Sequence, residues 1–505
     1  MFSKEKNSIK KDSFLKLDFL VILLLCLIII DLHSFGFFGR TTFPQDSAII
    51  FEGSQRISEG QMPYKDFTIV MGPVVFLMQS FFNLFFGTTF FSMFIHSLFL
   101  SLIICIIFYY FCRKEFNIFI SFIFSIFFYI SFQGLAFHPF YNHSTYFFLF
   151  LNVFLLLLYI KKPLPIYVFI LSSILASLDF YTKQDIGVLH IILVFCYFIF
   201  NYKKQWKSII LYLIITAILV LGIYFSLAKF TDFEYWFNLG QYPHNTRLSN
   251  LLNPIKILEI LSSWEFYISL IFIFFILFVK NNKNKSLMSL FLIISISALV
   301  NRTLTGVTRQ VSVITTVMLI FFIFLIVKDE FIRLYEKNKI ITTLFLFLLL
   351  LLSVNPLPTY GLITYNYFSN SISHIDKGCY NGAPILNEDL KALNEIRAVI
   401  ESNNKSFVSI TQYSFLYCDY EIELPKNLPA WFDEGNSFYQ VNVPSIINTI
   451  ITYNPKVILV QEAHNNADPN FNTELINIFI SKGYKIENVI EQKVTEKPIT
   501  ILIKK

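Results

Sequence analysis

Charge is what this sequence has least of. Only 15% of its 505 residues are Asp, Glu, Lys or Arg, against roughly 25% in an ordinary soluble chain, while 55% are hydrophobic. That balance excludes a set of soluble domains, which length alone would allow. Glycine and proline are scarce too, at 16 and 17 residues, which excludes collagen-like and low-complexity disordered chains. Six cysteines are too few for a disulfide scaffold. No basic run with interleaved aromatics occurs, so nucleic acid is not an expected partner. No internal repeat is present, and the C-terminal part has no glycine-rich phosphate loop.

What is present is apolar bulk, including 61 Phe and 27 Tyr. A bilayer-spanning helix needs about 20 mostly apolar residues. Such stretches run over 17–38, 88–111, 116–134, 143–160, 164–179, 186–200, 208–228, 262–279, 286–300, 310–327 and 340–355, about eleven in all. Met1–Lys16 is polar and basic, and the apolar run after it lacks a small-residue cleavage site. It reads as an uncleaved first helix.

The connecting segments alternate in charge. One set carries Lys4, Lys6, Lys10, Lys11 and Lys16; Arg113 and Lys114; Lys161 and Lys162; Lys203, Lys204 and Lys207; Lys280, Lys283 and Lys285; and Lys328, Arg333, Lys337 and Lys339. In the other set, 131–142 has no cation and 179–185 has only Lys183. The positive-inside rule places the first set, and with it the N-terminus, in the cytoplasm; the tail from about 356 is then outside. Pro73–Phe86 is apolar but short, and as a span it would invert every later loop. It reads as an interfacial or re-entrant helix on the outer face.

The fold class expected is an α-helical polytopic membrane domain over 1–355 followed by a small extracytoplasmic α/β domain over 356–505. In the tail, Leu386–Ser402, Ser445–Tyr453 and Thr473–Lys482 read as helices. Phe407–Ile410, Val457–Val460 and Ile499–Ile503 read as strands. Its Asp and Glu residues read as solvated. Cys379 and Cys418 both fall there, and an oxidising compartment would allow them to pair; the alternative is two free buried thiols.

The first outer loop is the most informative stretch. A helix from Asp46 to a stop at Gly60 would gather Ile49, Ile50, Gly53 and Ile57 on one face and Glu52, Arg56 and Glu59 on another. It reads as an amphipathic helix lying on the outer membrane surface, with Glu52 and Arg56 spaced to pair. Asp46 fits an N-cap. It equally fits a general base that takes the proton of an attacking hydroxyl. Both readings stand.

An acidic residue just after the first span, a helix, then Gly60-Gln61-Met62-Pro63-Tyr64-Lys65-Asp66-Phe67 and Gly72-Pro73 before an apolar run resemble the GT-C membrane glycosyltransferases. That family includes the protein O-mannosyltransferases and the bacterial lipid A aminoarabinose transferase. Lys183-Gln184-Asp185-Ile186-Gly187 is similar to the K-Q-x-x-G element of bacterial members. The resemblance covers 1–355 in architecture and about 40–75 and 179–187 in motif. It implies a polyprenyl-phosphate sugar donor, an outward-facing site, inversion at the anomeric carbon, and Asp46 as the base. Tyr64 and Asp66 map to the P-Y-x-D element, as substrate-binding residues or as packing of the loop. Many members carry another acid in the second outer loop; here Phe137–His143 has none, which removes one member of a two-acid or metal site. No metal ligand set is assigned, and a divalent metal stays open.

A departing phosphate gains negative charge, which Arg or Lys stabilises. The outer candidates are Lys183, Arg247, Arg302 and Arg309. Lys183 stands beside Asp179 and Asp185, so an ion pair within the loop is the alternative reading; for Arg302 and Arg309 it is interfacial anchoring. His138, His143 and His244 fit no zinc spacing and read as acceptor or phosphate contacts, or as structural. The leading function is therefore sugar transfer from a lipid-phosphate donor to a glycan, lipid or protein hydroxyl at the membrane's outer face. The alternatives are a transporter or flippase of lipid-linked sugars, disfavoured by the scarce glycine and missing repeat; a lipid-linked glycan ligase; and a non-catalytic envelope-assembly subunit.

Overall fold

The computed structural model describes residues 2–39, 45–69, 71–133, 138–160, 162–237, 253–278, 282–305, 308–353, 372–411, 413–430, 432, 438, 440–461, 471–491 and 498–505. The helices are α1 (Phe2–Gly39), α2 (Gln45–Ser58), α3 (Val74–Phe86), α4 (Phe90–Glu115), α5 (Ile118–Gln133), α6 (Tyr141–Leu157), α7 (Ile166–Phe180), α8 (Gln184–Tyr202), α9 (Trp206–Phe230) and the short α10 (Phe233–Trp236). There follow α11 (Pro254–Leu261), α12 (Trp264–Phe278), α13 (Asn282–Thr305), α14 (Thr308–Ile326), α15 (Lys328–Lys337) and α16 (Lys339–Ser353). Among the described residues, each apolar stretch expected to span lies mostly on one of these helices. Among the described residues, Leu17–Gly39, Phe90–Glu115, Gln184–Phe230 and Asn284–Asn301 are helical stretches long and apolar enough to cross a bilayer. This is a membrane protein.

Local chemistry sets the breaks. Gly87, at φ +72°, ends α3, and the Thr89 hydroxyl then caps α4 by accepting the Ser92 amide at 3.1 Å. Asn253 caps α11 in the same way through the Ile255 amide, ahead of Pro254 at the first helical position. At one end of the bundle Asp18 of α1 pairs with Arg113 of α4 at 2.7 Å, and Glu115 pairs with Lys328 at 2.8 Å. These ion pairs join three of the segments grouped by their positive charge.

α3 has only 13 residues, about 20 Å of helix and too short to span. Its polarity is inside out. Leu77, Phe81, Leu84 and Phe85 are exposed, whereas Gln79, Ser80 and Asn83 are buried. The Gln79 amide donates to Asn83 and Ser92, and Asn83 donates to Ser54 of α2 at 3.2 Å. A helix with that distribution suits an apolar medium on its outer side and a polar seam within.

The tail forms β2 (Ile372–His374), β3 (Pro384–Leu386), α17 (Asn387–Ser402), β4 (Phe407–Ile410), α18 (Phe415–Asp419), β5 (Leu428–Pro429), α19 (Val443–Tyr453), β6 (Val457–Gln461), α20 (Phe471–Ser481), β7 (Tyr484–Ile490) and β8 (Ile499–Lys504). Its four-stranded sheet has the order β4-β6-β8-β7, with β4 and β6 parallel and the other pairs antiparallel. Strand β7 was not among the expected strands. Its five central residues are exposed, and it lies at the sheet edge with no apolar run to announce it.

One expectation for the tail is corrected. Its acids are not all solvated: Asp389 is buried, and the Asp419 side chain is buried against Arg397 at 2.6 Å. Tyr380 packs on Phe51 of α2, Phe90 of α4 and Phe415, giving one continuous core. Cys379 and Cys418 are joined by a disulfide.

Candidate functional site

The first loop is reached from the tail. Phe67–Thr68 (β1) pairs in parallel with β5. Arg56 is 1% exposed and donates to Glu52 at 2.7 and 3.0 Å, to Gln61 at 3.1 Å and to the Pro425 carbonyl at 2.7 Å. Gln61 in turn donates to the Leu424 carbonyl at 2.7 Å. The expected Glu52–Arg56 pair therefore exists, but α2 does not lie open on the membrane surface. Its polar face is covered by the tail, because a guanidinium with five donors can satisfy a carboxylate and a crossing backbone at once. Burial pushes the Glu52 carboxyl up, and its bonds to Arg56 oppose that shift.

The P-Y-x-D element is part of the same packing. Tyr64 is buried at φ +64°, edge-on to Phe233, and its hydroxyl donates to the Met71 carbonyl at 2.5 Å. The Asp66 carboxylate accepts the Met62 amide at 2.8 Å, closing its own turn, and the Asp66 carbonyl accepts the Asn427 amide at 2.6 Å. In this arrangement both residues shape the loop, and the Asp66 carbonyl docks the tail through Asn427.

The α7–α8 turn lies at the same end. Asp179 O accepts the amides of Thr182 and Lys183, and Val74 N donates to the Tyr181 carbonyl at 3.1 Å. A Cβ on Gly187 would come within 2.1 Å of the Phe180 Cα. Only glycine lets α8 lie this close to the end of α7, which gives the K-Q-x-x-G spacing a physical reason. Gln184 donates to the Phe237 carbonyl at 2.5 Å and ties the turn to α10.

Lys183 precedes α8 and is 7% exposed. Its Nζ donates to Asn142 Oδ1 at 2.8 Å and to Asn301 Oδ1, stands over the Tyr141 ring at 5.3 Å, and is 3.8 Å from Asp185 Oδ2. Two neutral amides thus fix the ammonium, and the Asp185 carboxylate, beyond hydrogen-bond distance, stands within ion-pair reach, as the alternative reading of the loop expected. Asp179 is not the second half of an ion pair with Lys183. Its side chain turns into the bundle and takes the His190 Nδ1 hydrogen at 2.7 Å; Asn152 donates to His190 Nε2 at 2.8 Å, and Ser172 donates to Asn152 at 2.8 Å. All four groups are buried, so the network holds α6, α7 and α8 in register beneath the turn.

The oligosaccharyltransferase of Archaeoglobus fulgidus, solved with zinc and sulfate, superposes with a TM-score of 0.50 at 13% identity, covering 87% of this chain and 68% of that one. Its apo form gives 0.50 at 12% identity, over 88% and 69%. The chain has the GT-C fold. ArnT of Cupriavidus metallidurans bound to undecaprenyl phosphate matches along 97% of this chain and 98% of its own, at 8% identity and a TM-score of 0.47. No protein-family model matches the chain, and no curated protein sequence does.

Within this GT-C fold the remaining candidates fall as follows. Asp46 is the second residue of α2; its side chain lies outside the described atoms. Arg302 follows Asn301 in α13, and Arg309 is the second residue of α14; their side chains are likewise outside. His244 and Arg247 lie outside the described residues. Among the described residues no group of three or more His, Cys, Asp or Glu is placed to hold a metal ion. Asn142, Asn301 and Tyr141 were missing from the sequence-based site. Asn142 and Tyr141 stand in the acid-free second loop, where an Asn at a helix start reads as turn chemistry.

Proposed function

We propose that this chain transfers a sugar from a polyprenyl-phosphate donor to an acceptor hydroxyl at the extracytoplasmic face of the membrane, with inversion. The observation that carries the reading is Lys183: a buried ammonium, fixed by Asn142 and Asn301 on a turn that Gly187 makes tight. A phosphate meeting that ammonium would have its growing charge stabilised as the anomeric C–O bond breaks and the electron pair leaves with the phosphate oxygen. Asp46 takes the proton of the acceptor hydroxyl as its oxygen forms the new bond to the anomeric carbon. Attack on the face opposite the leaving group inverts that carbon. The cation and the base belong to different loops, which suits stabilisation of the leaving group and activation of the nucleophile from separate directions. The GT-C fold and the apolar surface support the membrane setting.

The test is transfer from a polyprenyl-phosphate sugar by purified protein in lipid, comparing wild type with Asp46→Asn and Lys183→Ala. Loss of transfer in both, with the proteins folded and inserted, supports the assignment. Full activity in either removes that residue from the mechanism.

A further inference from the structure

A second polar cluster is buried in the helical bundle, apart from Lys183. It is built from α1, α3, α4, α5 and α6, with Gln133 closing α5 and His143 in the first turn of α6, near the loops of the candidate site. His33 donates from Nε2 to Ser97 at 2.8 Å and accepts at Nδ1 from the Gln133 amide at 2.7 Å. Gln133 also donates to Ser101 at 2.5 Å. His96 is bonded through Nδ1 to the Gln79 carbonyl oxygen at 2.9 Å. All six side chains are buried, as is His143, whose ring lies 4.3 Å from Phe132 and within electrostatic reach of His33 and His96.

The cluster is incomplete, with more bare acceptors than bare donors. Among the described residues, Gln133 Oε1, His96 Nε2 and both ring nitrogens of His143 have no hydrogen-bond partner. With Nδ1 of His96 donating to Gln79, its Nε2 is a bare acceptor. The Gln133 oxygen is another, and a neutral His143 adds one acceptor and one donor. Buried polar atoms are almost always paired, by protein or by a bound molecule. A phosphate brings only acceptors and cannot serve bare acceptors. An ammonium would bring a charge to a place where none of these side chains is a carboxylate. Hydroxyl groups on an uncharged ligand meet the requirement, in apolar surroundings where Phe132 packs on His143 and Phe94 on His33.

We infer that this cluster is a hydroxyl-binding subsite that receives the sugar of the donor, and that this sugar is uncharged. The inference rests on the proposed use of a polyprenyl-phosphate sugar and deepens it: Lys183 meets the phosphate, and His143, Gln133 and His96 meet sugar hydroxyls.

The experiment titrates the full-length protein in nanodiscs with undecaprenyl phosphate alone. It then uses undecaprenyl phosphate bearing in turn an uncharged hexose, an uncharged pentose and a 4-amino pentose. An uncharged sugar is expected to raise affinity over the bare carrier by about tenfold. His143→Leu should erase that increment, so that sugar-bearing and bare carriers bind alike. Its unliganded melting temperature should hold or rise, because an unpartnered polar group has left an apolar interior. His143→Gln, which restores a donor and an acceptor, should recover part of the increment and covers the case in which the leucine variant fails to fold. The inference is overturned if no uncharged sugar adds affinity, if the amino sugar alone does, or if the increment survives His143→Leu. An increment that survives while the unliganded protein loses stability would mean that structural water fills the cluster. Failure of the wild type to bind even the bare carrier would instead strike the Lys183 reading, so the two failures are distinct.

Discussion

Lys183 shows how a single charge can be kept in an apolar bundle. Removing an ammonium from water is costly unless good acceptors surround it, and here Asn142 and Asn301 supply two amide oxygens without cancelling the charge. Lys183→Ala is expected to lower transfer by about 10²–10³-fold, the usual cost of losing one transition-state donor. Lys183→Arg should keep part of the activity, because a planar fork replaces a point charge between the same amides. Asp185 is the nearest carboxylate recorded beside Lys183, so Lys183→Ala combined with Asp185→Asn tests the ion-pair alternative in a transfer assay. An active double variant would make Lys183 structural. A lone cation in a very short loop was legible from sequence. Its cradle was not, because Asn142 and Asn301 lie 159 positions apart and only the packing of α6 on α13 brings them together. Tyr64 and Asp66 show the packing that their motif also allowed, one in a core and one closing a turn.

At the scale of elements, the α7–α8 turn and α2 make separate demands. Gly187 admits no Cβ, because the atom that it would strike is backbone. Gly187→Ala is therefore expected to displace Lys183 and depress transfer, while Gly222→Ala in α9, with nothing within 4 Å, should be neutral or slightly stabilising. Circular dichroism and transfer rates on the pair separate loss of the turn from loss of the helix. In α2, Arg56→Met leaves Glu52 buried without its partner and frees the Pro425 carbonyl. A loss of about 3–5 kcal/mol is expected, as for other broken buried pairs, read as a lower melting temperature. Periodicity disclosed the helix and its charged face but not what covers that face. The covering segment, near Leu424, is some 370 residues away along the chain. Strand β7 was illegible for a related reason: an edge strand needs no apolar alternation to pair.

Across the whole molecule, the grouping of the lysine-bearing segments and the disulfide bear on the same question, which side of the membrane the tail occupies. The ion pairs of Asp18 with Arg113 and of Lys328 with Glu115 tie together segments that the positive-inside rule places in the cytoplasm. At the tail, the Cys379 carbonyl accepts the Phe90 amide at 2.7 Å and the Cys379 amide donates to Asp419 at 2.8 Å, so the disulfide sits where the tail meets the α3–α4 turn. A cross-link closing a loop of 39 positions stabilises a fold by about 2–4 kcal/mol in the chain-entropy account, and such bonds persist in oxidising compartments. Reporter fusions after Phe200 and after Pro356 are accordingly expected to report opposite sides, cytoplasmic for the first and extracytoplasmic for the second. Cys379→Ser with Cys418→Ser should lower the melting temperature in lipid and loosen the tail to protease, and wild type isolated with thiols blocked should show these two cysteines oxidised. A cytoplasmic report after Pro356 would invert the topology. It would place Lys183 and Asp46 on the inner face and leave the proposed extracytoplasmic transfer without its site, whatever the Lys183 variants do.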